Sequence, residues 1–133
     1  VTLPRDFRFV VYNNTGVSIP VSAMIVNGRR HNFSMSGTVV YENAEVNLYT
    51  NVASIANATF DVGTPAVSNT SSLWLGGDFL FRKTGATSGN GALSLFLARS
   101  TDGGTTFDTS SEAMLVSAIS LINSAVRNVG FGL

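Results

Sequence analysis

The chain has 133 residues with no cysteine, eight basic and eight acidic side chains and a single histidine. Hydrophobic residues make up 44% and charged residues 12%, about half the usual charged share, which excludes a disordered chain. Zero net charge argues against nucleic acid as the main partner, and no apolar run approaches the ~20 residues of a membrane span.

Residues 7–12 (FRFVVY) are dense in aromatic and β-branched types and predict a strand. Asn13-Asn14-Thr15-Gly16 predicts a turn, because Asn and Gly tolerate positive φ. Pro20 and a phase change among the apolar residues of 17–26 suggest an edge strand or bulge. Asn27-Gly28 is the strongest short hairpin signal in the chain. It leads through Arg29, Arg30 and His31 to Phe33, and a second turn at Ser36-Gly37 precedes a strand over 38–41. Val46, Leu48 and Thr50 alternate along the next strand, and Ile55, Phe60 and Val62 continue that pattern less clearly.

The stretch 63–72, with Pro65 and many Ser and Thr residues, predicts a loop. Residues 73–81 (LWLGGDFLF) and 92–99 (ALSLFLAR) predict two strands joined by the polar turn 83–91. Residues 112–128 are ambiguous. Apolar spacing at 115, 118, 119, 122, 125 and 126 fits a helix with Thr109-x-x-Glu112 as its capping box, yet 114–122 is also β-compatible. Short strands at roughly 8–12-residue spacing indicate an all-β fold, a sandwich or barrel in one domain over residues 1–133.

The clearest motif is Ser100-Thr101-Asp102-Gly103-Gly104-Thr105-Thr106-Phe107, which fits the Asp-box pattern S-x-D-x-G-x-T-[WF]. Its physics is local: the Asp102 carboxylate caps backbone amides of its own turn, Gly103 and Gly104 supply the backbone conformations, and Phe107 anchors the returning chain. Ser100, Asp102, Gly103, Gly104, Thr106 and Phe107 are therefore assigned to a structural hairpin and not to catalysis. No G-x-S-x-G elbow accompanies His31, which is expected to be an exposed turn residue. Arg29, Arg30 and His31 form a small basic patch that either meets an anion or solvates a hairpin end.

The acid pairs Glu42/Glu45 and Asp102/Asp108 lack the scaffold of a glycosidase, and no EF-hand spacing supports calcium. Trp74, Tyr12, Tyr41 and Tyr49 are candidates for a sugar-stacking platform, although core or interface packing is the commoner use of such rings. Trp74 is the candidate interface residue. Gly76-Gly77 within a strand signals a bulge or a close backbone approach rather than a phosphate cradle. The Asn-x-Ser/Thr sequons at Asn13, Asn32, Asn57 and Asn69 carry no weight in a chain so rich in Asn, Ser and Thr. No catalytic residue, metal ligand or cofactor is assigned.

From Leu73 to about Asn123 the chain resembles a group of small structural proteins from tailed bacteriophages and prophages. The likeness is carried by LWLGGDFLF, the turn KTGATSGNG, LSLFLARS, STDGGTTFDT and AMLVSAISLIN; FRFVVYNNTG and VNGRRHNFSMSGTVVY are compatible with it. In that group the segment after the DGG hairpin is a strand, so the resemblance implies a strand rather than a helix over 112–128. Members tend to run on past the equivalent of Leu133, which leaves the place of the last strand open. Combined with the residue pattern, the expectation is an antiparallel β-sandwich, jelly-roll-like, of about eight strands. It implies a non-enzymatic virion component that associates with itself as a homo-oligomer and with a capsid or tail scaffold. The low charge accords with such packing, or with a surface solvated by Ser, Thr and Asn. The alternative is a carbohydrate-binding module or adhesin head with a glycan as partner, and a small hydrolase is a weaker third reading.

Overall fold

The computed structural model describes residues 3–62, 67–69, 74–85, 87–122 and 126–133. It is an antiparallel β-sandwich with no helix among those residues. Ten strands occur in chain order: β1 (Asp6–Asn14), β2 (Met24–Phe33), β3 (Val39–Tyr41), β4 (Val46–Thr50), β5 (Thr59–Asp61), β6 (Val67–Ser68), β7 (Gly76–Lys83), β8 (Ala92–Ser100), β9 (Met114–Ser120) and β10 (Arg127–Gly132). The expected number was about eight; β6, inside the stretch expected to be a loop, and β10, beyond the last expected strand, make up the larger total.

One sheet runs β5-β1-β8-β9, with β6 also paired to β1; the other runs β10-β7-β2-β3, with β4 also paired to β2. Strand alternation explains the core. Phe7, Phe9 and Val11 on β1 and Leu93, Leu95 and Leu97 on β8 point inward and are essentially fully buried. Met24, Val26, Phe79 and Phe81 meet them from the other sheet. Phe9 stands at the centre, with edge-to-face contacts to Phe7 on its own strand and to Phe79 and Phe131 across the layer, at ring separations of 5.7, 6.0 and 6.2 Å. Burying so many large apolar side chains is the main force holding the layers together.

Several sequence expectations change. Asn27-Gly28 does not turn: both residues lie mid-strand in β2. Gly28 is there because a Cβ would run into the Phe79 ring and come within 2.7 Å of the Asp78 carbonyl oxygen on β7. The register with β4 shifts between Val26 and Asn27, so the signal marks a bulge and a close approach. The hairpin forms at the second turn, where Gly37 has φ +82° between β2 and β3. Residues 17–23 make no edge strand; only an isolated bridge, Ile19 to Ile55, pairs there.

The helix alternative for 112–128 gives way to β9 and β10, while 123–125 lie outside the described residues. Only the Glu112 half of the capping box forms: Thr109 N–H donates to Glu112 Oε2 at 2.8 Å, while Glu112 and Ala113 donate to the Thr109 carbonyl oxygen instead of its hydroxyl, which bonds Ser111. A single turn follows, and the chain then extends so that Ile119 and Leu121 reach the core. Most of the loop expected at 63–72 lies outside the described residues.

Candidate functional site

The Asp-box segment closes on itself. Asp102 Oδ1 accepts from the N–H groups of Thr105 and Thr106 at 3.1 and 2.9 Å and from Ser100 Oγ at 2.8 Å. Its Oδ2 accepts from Thr106 Oγ1 at 2.6 Å, and Gly104 N–H donates to Ser100 Oγ at 2.9 Å. Gly103 and Gly104 both adopt positive φ. Donation from the Thr106 hydroxyl and amide, then from Ser100, holds the Asp102 carboxyl well below the ordinary range. Phe107 carries the Arg8 guanidinium of β1 over its ring at 4.4 Å, which fixes the returning chain against the sheet. Asp108 accepts from both the backbone N–H and Nε of Arg99 at 3.0 Å. Asp102 and Asp108 are thus each committed to local bonds, and among the described residues no cluster of three or more His, Cys, Asp or Glu forms a metal cage.

The two arginines of the Arg29-Arg30-His31 patch both bind Glu42. Arg30 makes a two-pronged pair with Glu42, Nε to Oε1 at 2.7 Å and Nη2 to Oε2 at 2.9 Å, and its backbone N–H donates to the same carboxylate. The two side chains are only 13% and 11% exposed. Burial pushes the Glu42 carboxyl up, but the Arg30 hydrogen bonds and the two arginine charges more than offset this and leave it lowered. Arg29 donates from Nε and Nη2 to the Glu42 carbonyl oxygen. His31 is no exposed turn residue: it sits half-buried in β2, its ring against Phe33 and Tyr41. The cause is the continuation of β2 through Asn27-Gly28, which draws residues 29–33 into the sheet.

Trp74 precedes β7 instead of lying within it, and Leu73 is outside the described residues. The Asn69 side chain accepts from Trp74 N–H at 2.8 Å and donates to its carbonyl oxygen at 2.5 Å, occupying the groups a strand ladder would use. The Trp74 ring packs partly buried against the core. Tyr49 is buried with its hydroxyl donating to Asp61, and Tyr12 stacks on Phe60 at 4.5 Å. Trp74, Tyr12, Tyr41 and Tyr49 therefore form no common platform. Gly76 and Gly77 mark the expected close approach: a Cβ at Gly77 would lie 2.9 Å from the Arg29 carbonyl oxygen.

Two surfaces remain open. The first is the β2–β3 hairpin. Phe33, Val39, Val40 and Tyr41 are each more than two-fifths exposed, and Met35 at the tip is fully exposed. The second is a groove of about 360 Å³ on the outer side of the β7-β2-β3 sheet, lined by Asn27, Arg29, Tyr41, Glu45, Asp78 and Leu80 above the backbone of Gly28 and Phe79. Tyr41 donates its hydroxyl to Asp78 Oδ2 at 3.1 Å, and that bond, with the Asp78 charge, holds the phenol above its ordinary range. The sequence reading singled out Asn27, Arg29, Tyr41 and Glu45 in other roles and missed Asp78 and Leu80. The signal was available in the alternation of polar and core residues along β2 and β7, once Asn27-Gly28 is read as strand. Compared with family models, curated proteins and solved structures, the chain matches none.

Proposed function

We propose that this chain is a non-enzymatic structural component of a phage particle, working by association with copies of itself and with a capsid or tail scaffold. The observation that supports it best is the β2–β3 hairpin, whose outer arm and tip present Phe33, Met35, Val39 and Val40 to solvent. An exposed group of apolar side chains on a hairpin end without a charged residue is costly to leave wet and marks an interaction surface. Its base is held rigid by the Arg30–Glu42 pair, so little ordering entropy is lost when the tip docks. The 12% charged share and the phage-like motifs of 73–123 point the same way.

The test is the mass of the purified full chain by light scattering, for the parent and for a Met35→Glu/Val40→Lys double variant. The parent is expected to form a defined oligomer whose interface buries more than ~2,000 Å² in total. The variant is expected to be a monomer with an unchanged melting temperature, since neither side chain contributes to the core. A monodisperse monomeric parent at high concentration, even beside other particle proteins, overturns the reading. So does reproducible turnover of a glycoside or ester that one point substitution abolishes.

A further inference from the structure

The last strand contains two residues that the fold does not require. Along β10, Val129 and Phe131 pack on the core while Gly130 and Gly132 face solvent. Neither glycine has positive φ. A Cβ at Gly130 would find only the Phe79 carbonyl oxygen at 3.9 Å; at Gly132 it would find only the Gly77 carbonyl oxygen at 3.8 Å and Asp78 Oδ1 at 3.9 Å. A Cβ is accommodated at both positions, and glycine weakens a strand. Both glycines stand opposite groove residues in the register: Gly130 faces Leu80 and Gly132 faces Asp78. Their missing side chains leave the groove without a wall on the β10 side.

The polar groups of the groove are arranged as an unfinished network. Arg29 and Asp78 are cross-strand partners, yet no ion pair joins them among the described residues. Arg29 spends two of its N–H groups on the Glu42 carbonyl oxygen, and Asp78 uses only Oδ2, for Tyr41. Arg29, Glu45 and Asp78 line the same open volume, so a guanidinium and two carboxylates border it. A simple anion is disfavoured by the two carboxylates, and a simple cation by the guanidinium. A pair of neighbouring hydroxyls satisfies both kinds of group, one donating to a carboxylate and the other accepting from the guanidinium. Leu80 and the exposed Tyr41 ring supply the apolar surface that the C–H face of a sugar needs.

We infer that the groove between Arg29, Tyr41, Glu45, Asp78 and Leu80 binds a neutral saccharide, which enters across Gly130 and Gly132. This is independent of the association reading above, because the hairpin tip and the groove are tested by different variants. The experiment exposes the labelled full-length chain to an array of neutral and sialylated glycans, then titrates the best neutral ligand by calorimetry. Gly130→Val is expected to keep or raise the melting temperature, since a β-branched residue suits an open strand position, and to weaken binding at least tenfold by walling the groove. Asp78→Asn is expected to weaken it to a similar degree. Light scattering follows each variant's mass. Three results overturn the inference: no neutral glycan bound across the array, binding confined to anionic glycans, or a neutral ligand whose affinity both variants leave unchanged.

Discussion

The two hairpins of this chain are each organised by one carboxylate, but at opposite ends. In the β8–β9 connection Asp102 sits at the tip and accepts four hydrogen bonds from residues 100–106, so the tip is finished business. In the β2–β3 hairpin Glu42 sits at the base, pinned by Arg30, and the side chains of Met35 and Val40 are left exposed. The difference teaches how to weigh exposed residues. A polar cluster that satisfies itself is a fastening; an exposed apolar end on a fastened base is a contact surface. Motif recognition drew attention to the first hairpin, and accounting for partners draws it to the second.

Removing the base fastening should have the largest effect. Glu42→Ala leaves Arg30 nearly buried without its counter-charge and should cost about 3 kcal/mol or more in chemical denaturation. A variant as stable as the parent would break the comparison, because the tip would then need no fixed base. Gly28→Ala comes next. Its methyl group meets the Phe79 ring, so about 1–3 kcal/mol should be lost, and less of it when Phe79→Leu makes room. An additive double variant would show that the two residues do not press on one another.

The smallest effect belongs to the tip carboxylate. Asp102→Ala should lower the melting temperature modestly while leaving oligomer mass and glycan binding unchanged. The sign of its pH dependence follows from its lowered carboxyl. Its contribution is fully present above the unfolded value near pH ~4 and fades as acid approaches the folded value. Melting curves between neutral pH and pH ~2 should therefore fall less steeply for Asp102→Ala than for the parent. A loss of binding in this variant with stability intact would turn the fastening into a site.

The all-β class and the alternation of the long strands were legible because they depend on period-two patterning, which is local. The Asp102 turn was legible for the same reason, since every partner lies within four residues. Gly28 was misread because its reason is the Phe79 ring on another strand, and turn grammar has no term for a neighbour so distant in sequence. His31 followed it into error. Thr109-x-x-Glu112 kept a helix open as the alternative to a strand; half of the cap forms, but Ile119 and Leu121 reach the core only from an extended chain. The groove escaped notice because its residues come from β2, β7 and the segments around Tyr41 and Glu45, which meet only after both sheets are assembled.

The pairing of β1 with β8 has a consequence for synthesis. Strand β1 carries Phe7, Phe9 and Val11 on one side and Val10 and Tyr12 on the other, so it is sticky on both. Its long partner is β8, and β5 and β6 cover only parts of it. A ribosome must therefore deliver β8 before this strand finds its full register, and until then a two-sided apolar ribbon is displayed. Closing so long a loop is slow compared with forming a hairpin. Nascent chains of this protein should depend on chaperone shielding of residues 7–12 until residues 92–100 emerge.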